Sequence, residues 1–207
     1  YQTSLFFHFH LNKQTFYLYL RLNITTMNVY KDETMKEQII KRMQFDNPWW
    51  VSGSIPNDYK SMQHRLYLDT FMPMVADVST RRGVILMGPR RVGKTVMIFH
   101  TIEELIKNGV PAQKIIYLSI DTPIYNNISL EDLLQLARES LKQSDASMDG
   151  YFVFYDEIQY LKDWEIHLKS LIDSYRNIKF VASGSAAAAL KMKTTESGAG
   201  RFTDFML

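Results

Sequence analysis

The residues with the clearest chemical purpose are Gly88, Pro89, Arg90, Arg91, Val92, Gly93, Lys94 and Thr95, which fit the spacing G-x-x-x-x-G-K-[ST]. The glycines let such a loop curl until its backbone N–H groups point at one anion. A helix that starts at the loop adds its own N-terminal N–H groups and its dipole. Lys94 is expected to reach the β- and γ-phosphates of a nucleotide, and the Thr95 hydroxyl to ligate Mg²⁺. The nucleotide-binding set is therefore the eight loop residues together with Val96, and the expected ligand is ATP.

A second cluster lies downstream. Tyr151 to Tyr155 is an apolar run that ends in Asp156 and Glu157. Asp156 is expected to hold Mg²⁺ through water, because magnesium keeps much of its hydration shell. Glu157 is placed to polarise an attacking water as general base. A glutamate directly after the aspartate separates this chain from GTPases, whose D-x-x-G and N-K-x-D patterns do not stand at the right places. It points to an ATPase with an additional strand between the strands bearing the loop and the acids. Lys179 to Ala182 supplies such a strand and runs into Ser183, Gly184 and Ser185. Ser183 and Ser185 are candidates for sensing the γ-phosphate or the attacking water. The competing reading is a Ser-Gly-Ser turn that caps the next helix.

These residues need elements to hold them. Periodicity and punctuation predict helices over 33–45 and 58–79, the latter bent or interrupted at Pro73. Between them, Asn47-Pro48-Trp49-Trp50 breaks the first helix and Ser52 to Asn57 reads as loop-like. Strands are predicted at Val84–Met87, Ile115–Ile120, Tyr151–Tyr155 and Ile178–Ala182. Helices are predicted at Lys94–Lys107, from Ser129 to about Lys142, over 162–175, and starting at Ala186–Leu190. Residues 191–200 read as polar and mobile. Alternating strand and helix with near-continuous apolar strands is the pattern of a parallel sheet covered on both faces. The fold class is thus α/β: a three-layer P-loop NTPase core with a short N-terminal helical segment.

Composition narrows the function classes. The chain has 207 residues, with 46% hydrophobic and 22% charged, which suits a packed globular core. A net charge of +2 gives no whole-molecule argument for nucleic acid. Without cysteine, thiolate catalysis, disulfides and cysteine-ligated zinc are excluded, and a reducing, cytoplasmic setting is the expectation. The apolar runs Leu5–Leu11 and Phe16–Leu22 are interrupted by His8, His10, Lys13 and Arg21, far short of the roughly 20 apolar residues a spanning helix needs. No membrane partner is expected. Residues 1–26 contain no Asp or Glu. They are read, with the segment to residue 34, as upstream sequence preceding a natural start at Met27 or Met35; a genuine edge strand or hairpin is the competing reading. Residues 35–79 then form the helical segment and 80–207 the core, which stops within an apolar run.

Together these features resemble the prokaryotic AAA-type ATPases that carry a C-terminal domain of unknown function. The resemblance covers about 35–207 and rests on the phosphate loop, Tyr155-Asp156-Glu157-Ile158-Gln159, Trp164-Glu165, Ser183-Gly184-Ser185, Gly200-Arg201 and the opening Asn47-Pro48-Trp49-Trp50. It implies an ATP-binding core followed by a C-terminal domain of the same chain, while Glu157 and the additional strand favour Mg²⁺-dependent ATP hydrolysis coupled to conformational change; a homo-oligomer is a candidate partner that the sequence itself does not establish. The resemblance also makes Arg201 a candidate arginine finger or sensor, against the plain alternative of a surface arginine. A nucleotide-gated switch with little turnover, or an ATP-controlled nucleic-acid module, remain alternative functions. Trp49 and Trp50 either flank the adenine or pack the N-terminal helix onto the core. Arg81, Arg82, Arg90 and Arg91 read as a basic cluster beside the phosphates or as a solvated face.

Overall fold

The computed structural model describes residues 33–141, 148–185 and 200–207. Packing divides the chain between Gln38 and Ile39. In the first unit the described residues, 33–38, are helical. The second unit opens with helical backbone over 39–46, here α1. It continues through α2 (Trp49–Ser52), α3 (Asn57–Lys60), α4 (Leu68–Ala76), β1 (Gly83–Gly88), α5 (Lys94–Lys107) and β2 (Ile115–Ser119). Then come α6 (Leu130–Ser140), β3 (Tyr151–Asp156), α7 (Trp164–Ser174), β4 (Ile178–Ser185) and β5 (Phe202–Met206). The expected helix from Ala186, the polar stretch after it, His8, His10 and the N-terminal extension lie outside the described residues.

The five strands form one sheet in the order β2-β3-β4-β1-β5, every neighbouring pair parallel. The path β1-α5-β2 runs one way across the sheet, whereas β2-α6-β3 and β3-α7-β4 run the other way. With right-handed crossovers this puts α5 on one face and α6 and α7 on the opposite face. Contacts agree: α5 packs with α3 and α4, and α6 packs with α7. Sandwiched between helices, β1 and β3 are buried at every position, which is why they read as unbroken apolar runs.

Local chemistry sets the element ends. Ser129 caps α6, its hydroxyl accepting from the Asp132 N–H at 3.1 Å, with Glu131 and Asp132 favourably placed in the first turn. The helix α5 buries Met97, Ile98, Ile102 and Leu105 on the sheet and ends at Asn108, after which Gly109 takes a φ of 88°.

The outer edge of β2 is finished by side chains. The Asn47 amide donates to Tyr117 O at 2.8 Å and accepts from Tyr117 N–H at 2.7 Å, as a neighbouring strand would. The indole N–H groups of Trp49 and Trp50 both donate to Ile115 O, at 2.9 and 2.7 Å. Thr122 N–H takes Ser119 O at 3.1 Å. Replacing Asn47 by Ala would leave a buried N–H and a buried carbonyl unpaired, each worth about 1–3 kcal/mol. Asn47→Ala is therefore expected to lose about 3 kcal/mol, read as a lower urea midpoint at unchanged slope; a midpoint equal to wild type would remove this role.

Three expectations are corrected. The helix expected over 58–79 is two pieces, α3 and α4, with residues 61–67 between them. Pro73 sits inside α4 without interrupting it. The last residues, read only as an apolar run, form β5, which pairs with β1 from Gly83↔Phe202 to Met87↔Met206.

Candidate functional site

Parallel strands bring the carboxyl ends of β1, β3 and β4 to one rim of the sheet, where ligands of open α/β sheets bind. The phosphate loop leaves β1 at that rim. Gly88 ends the strand so close to Leu207 that a Cβ on it would lie 2.8 Å from the Leu207 carbonyl oxygen. Gly93 has a φ of 97°, in the left-handed region that favours glycine, and caps α5. Arg91 takes a φ of 63° without being glycine, and Glu157 one of 53°. Residues held this way concentrate where structure overrides local preference, often at sites.

Lys94 is buried, and its ammonium reaches back over the loop to Gly88 O at 3.3 Å and Pro89 O at 3.1 Å. Pro89, Arg90 and Arg91 are exposed, while Val92 and Val96 are half-buried. Arg90 donates to the Tyr160 hydroxyl at 3.2 Å.

At the second residue of α5 the site closes on Asp156. The Thr95 hydroxyl donates to Asp156 Oδ2 at 2.7 Å, and the Tyr117 hydroxyl donates to the same oxygen at 3.0 Å. The other oxygen, Oδ1, accepts from the Ser183 hydroxyl and from Glu157 N–H at 3.1 Å. Asp156 is thus a buried acceptor with four donors, from α5, β2, β4 and the residue that follows β3. Burial and the neighbouring Asp156 charge push the Tyr117 phenol well above its ordinary range, so Tyr117 stays a donor at any physiological pH. Thr95 Oγ1 and Asp156 together offer only hard oxygen donors, the type Mg²⁺ selects.

Glu157 follows at the end of β3, half-buried, with its carboxylate accepting from the Gln159 amide. The same Gln159 side chain accepts Ser185 N–H at 3.1 Å. Ser185 lies opposite Gly88 in the β1–β4 register. Gln159 therefore ties the glutamate to the strand beside the phosphate loop. Of the two serines, Ser183 is the one in contact with the carboxylate, and Ser185 contributes its backbone through Gln159.

Other expected residues fall elsewhere. Arg201 O accepts from Gly83 N–H at 2.9 Å, at the start of β1 rather than its end. Five strand steps at ~3.3 Å put that position about 16 Å below the phosphate loop. There the Arg201 side chain pairs with Asp173 at 2.6 Å, and the same pairing holds the Asp173 carboxyl below its usual range. Arg81 and Arg82 precede β1 and also lie at that lower end, Arg81 donating to Ile172 O at 3.1 Å. The four-arginine cluster is thus split, with only Arg90 and Arg91 at the loop. Trp49 and Trp50 are buried against β2, Trp49 packing edge-on to Phe99 at 5.9 Å, so the packing alternative describes them. Tyr117, Gln159 and Arg65 are the contacts not anticipated. Arg65, from the break between α3 and α4, lays its guanidinium over Gly93, with Nη2 2.8 Å from where a Cβ would stand.

Among the described residues no helix is long and apolar enough to cross a membrane. The family model described as "AAA domain" matches residues 80–207. An uncharacterized protein of Haemophilus influenzae is 27% identical over 124 residues, which cover 59% of this chain and 30% of that protein. An uncharacterized protein of Methanocaldococcus jannaschii is 31% identical over 108 residues, 52% of this chain and 22% of its own length. The chain thus spans less than a third of these relatives. Among solved structures it is similar to Caenorhabditis elegans PCH-2, with a TM-score of 0.47 and 14% identity over 72% of this chain and 46% of that one. A match over most of the chain, on a parallel sheet with a phosphate loop at its rim, makes this a nucleotide-binding, ATPase-like core, and the chain belongs to the AAA domain family.

Proposed function

We propose that the chain binds ATP with Mg²⁺ and hydrolyses it. The observation that carries this reading is the 2.7 Å contact between Thr95 and Asp156, with Lys94 and Glu157 adjoining those two residues in the chain. The loop N–H groups and Lys94 would hold the β- and γ-phosphates. Thr95 and Asp156 would hold Mg²⁺, which when bound offsets the negative charge on the phosphate oxygens. Glu157 would accept a proton from the water that attacks the γ-phosphorus. The bond from that phosphorus to the bridging oxygen breaks, leaving ADP and inorganic phosphate. Ser183 orients Asp156 and the Glu157 backbone. Arg201 pairs with Asp173 at the far end of β1, so a finger for this site would come from a neighbouring copy.

Thermal melting with Mg²⁺ and ATP, ADP or GTP tests the binding half. At about 100 times Kd a ligand adds roughly 2.7 kcal/mol, a clear rise in Tm. A rise with ATP and ADP but not GTP is expected; no rise with any nucleotide counts against the reading. A second function, a nucleotide-gated switch with slow turnover, is favoured by one observation: the Glu157 carboxylate is already engaged by Gln159. Tight ATP binding with turnover that rises in Gln159→Ala would select it.

A further inference from the structure

The guanidinium of Arg65 stands across the N-terminus of α5. A Cβ on Gly93 would lie 2.8 Å from its Nη2, 3.2 Å from Cζ and 3.5 Å from Nε, so the planar group spreads over the Gly93 Cα. Two features hold residues 61–67 there. His64 Nε2 meets Glu103 Oε2 on α5 at 3.2 Å, and its ring packs on His100 at 4.2 Å between centroids. The Arg65 side chain is exposed beside a recess of about 590 Å³ that Gln63, His64, Leu66 and Tyr67 also line.

A cation is poorly placed at a helix N-terminus, because the helix dipole is positive there. Here Arg65 and Lys94 stand at that end of α5, and the loop before it carries two more cations, Arg90 and Arg91. Among the described residues none of the four pairs with a carboxylate. Lys94 rests on two carbonyls and Arg90 on a phenol. Such a field selects a polyanion, and a guanidinium matches phosphate oxygens two at a time.

We propose that Arg65 is a phosphate-binding residue, a cation brought from well upstream of the loop to contact the polyphosphate of the bound nucleotide from the outside of the cradle. The inference rests on the phosphate loop being a nucleotide site. It also gives Gly93 a second reason to be glycine: a side chain would displace the guanidinium.

The test is calorimetric titration of the 207-residue chain with Mg²⁺ and ATP, ADP or inorganic tripolyphosphate, in wild type, Arg65→Ala and Arg65→Gln. Arg65→Ala should weaken all three ligands by about tenfold or more, the loss of one charge-assisted contact. Arg65→Gln keeps an aliphatic stem over Gly93 and should lose as much, which covers the case of an alanine variant that melts early. Unchanged affinity for all three in folded variants overturns the proposal. So does a loss confined to ATP and ADP, since the guanidinium would then touch the nucleoside instead. If the folded wild type binds none of the three, the phosphate-loop reading itself falls, and this inference with it.

Discussion

Glu157→Gln should bind ATP as wild type does and turn it over at least about 10²-fold more slowly, the usual contribution of a positioned base. The substitution keeps shape and removes the proton acceptor. Its neighbours favour a local effect, since Glu157 N–H already donates to Asp156 and Ser183 and needs nothing from its own side chain. The contact that changes is with Gln159, where one amide would face another. Single-turnover rates separate chemistry from release, and an undiminished rate removes Glu157 as base. Because Gln159 joins that carboxylate to Ser185 N–H, shortening it to Ala should alter kcat while Kd for ATP holds.

Lys94→Ala should weaken ATP by about 10- to 150-fold, matching the ~1.5–3 kcal/mol of a hydrogen bond to a charged group. It should cost the free protein little. Lys94 is buried with only the Gly88 and Pro89 carbonyls as partners, and a buried cation without an opposite charge is a poor source of stability. The expected signature is thus a near-normal Tm without ligand and, at about 100 times the wild-type Kd for ATP, a stabilisation cut from roughly 2.7 kcal/mol to about 0.3–1.4 kcal/mol. Equal nucleotide affinity in wild type and variant would contradict the reading of the loop.

The parts of the site that a reader can find in the sequence are those whose chemistry is contiguous. The loop proposed to hold phosphate is one run of residues because its backbone N–H groups would do the work, and the acids end an apolar strand because that strand is buried on both faces. The helix Lys94–Lys107 was legible to the residue, bounded by the loop before it and Asn108-Gly109 after it. Contacts between distant segments were not legible. Tyr117 reads as one more apolar strand position, yet its hydroxyl reaches Asp156. No glycine or proline marks residues 61–67, and that break is imposed from outside, by His64 meeting Glu103 and His100 on α5. The strand β5 lacked the flanking helix pattern that identified the others. The split of the arginines follows from β1 itself: residues before and after a six-residue strand lie at opposite ends of the sheet, however close they stand in sequence.

The side chains that finish β2 also keep one border of the sheet from pairing with other chains. Bare strand edges are templates for association with other chains, and aggregation begins there. Asn47, Trp49 and Trp50 occupy the border beside β2, so no further strand can add there. Asn47→Ala would do more than loosen the fold: it would open an adhesive border beside β2, and the variant should clump on warming at protein concentrations where wild type stays clear.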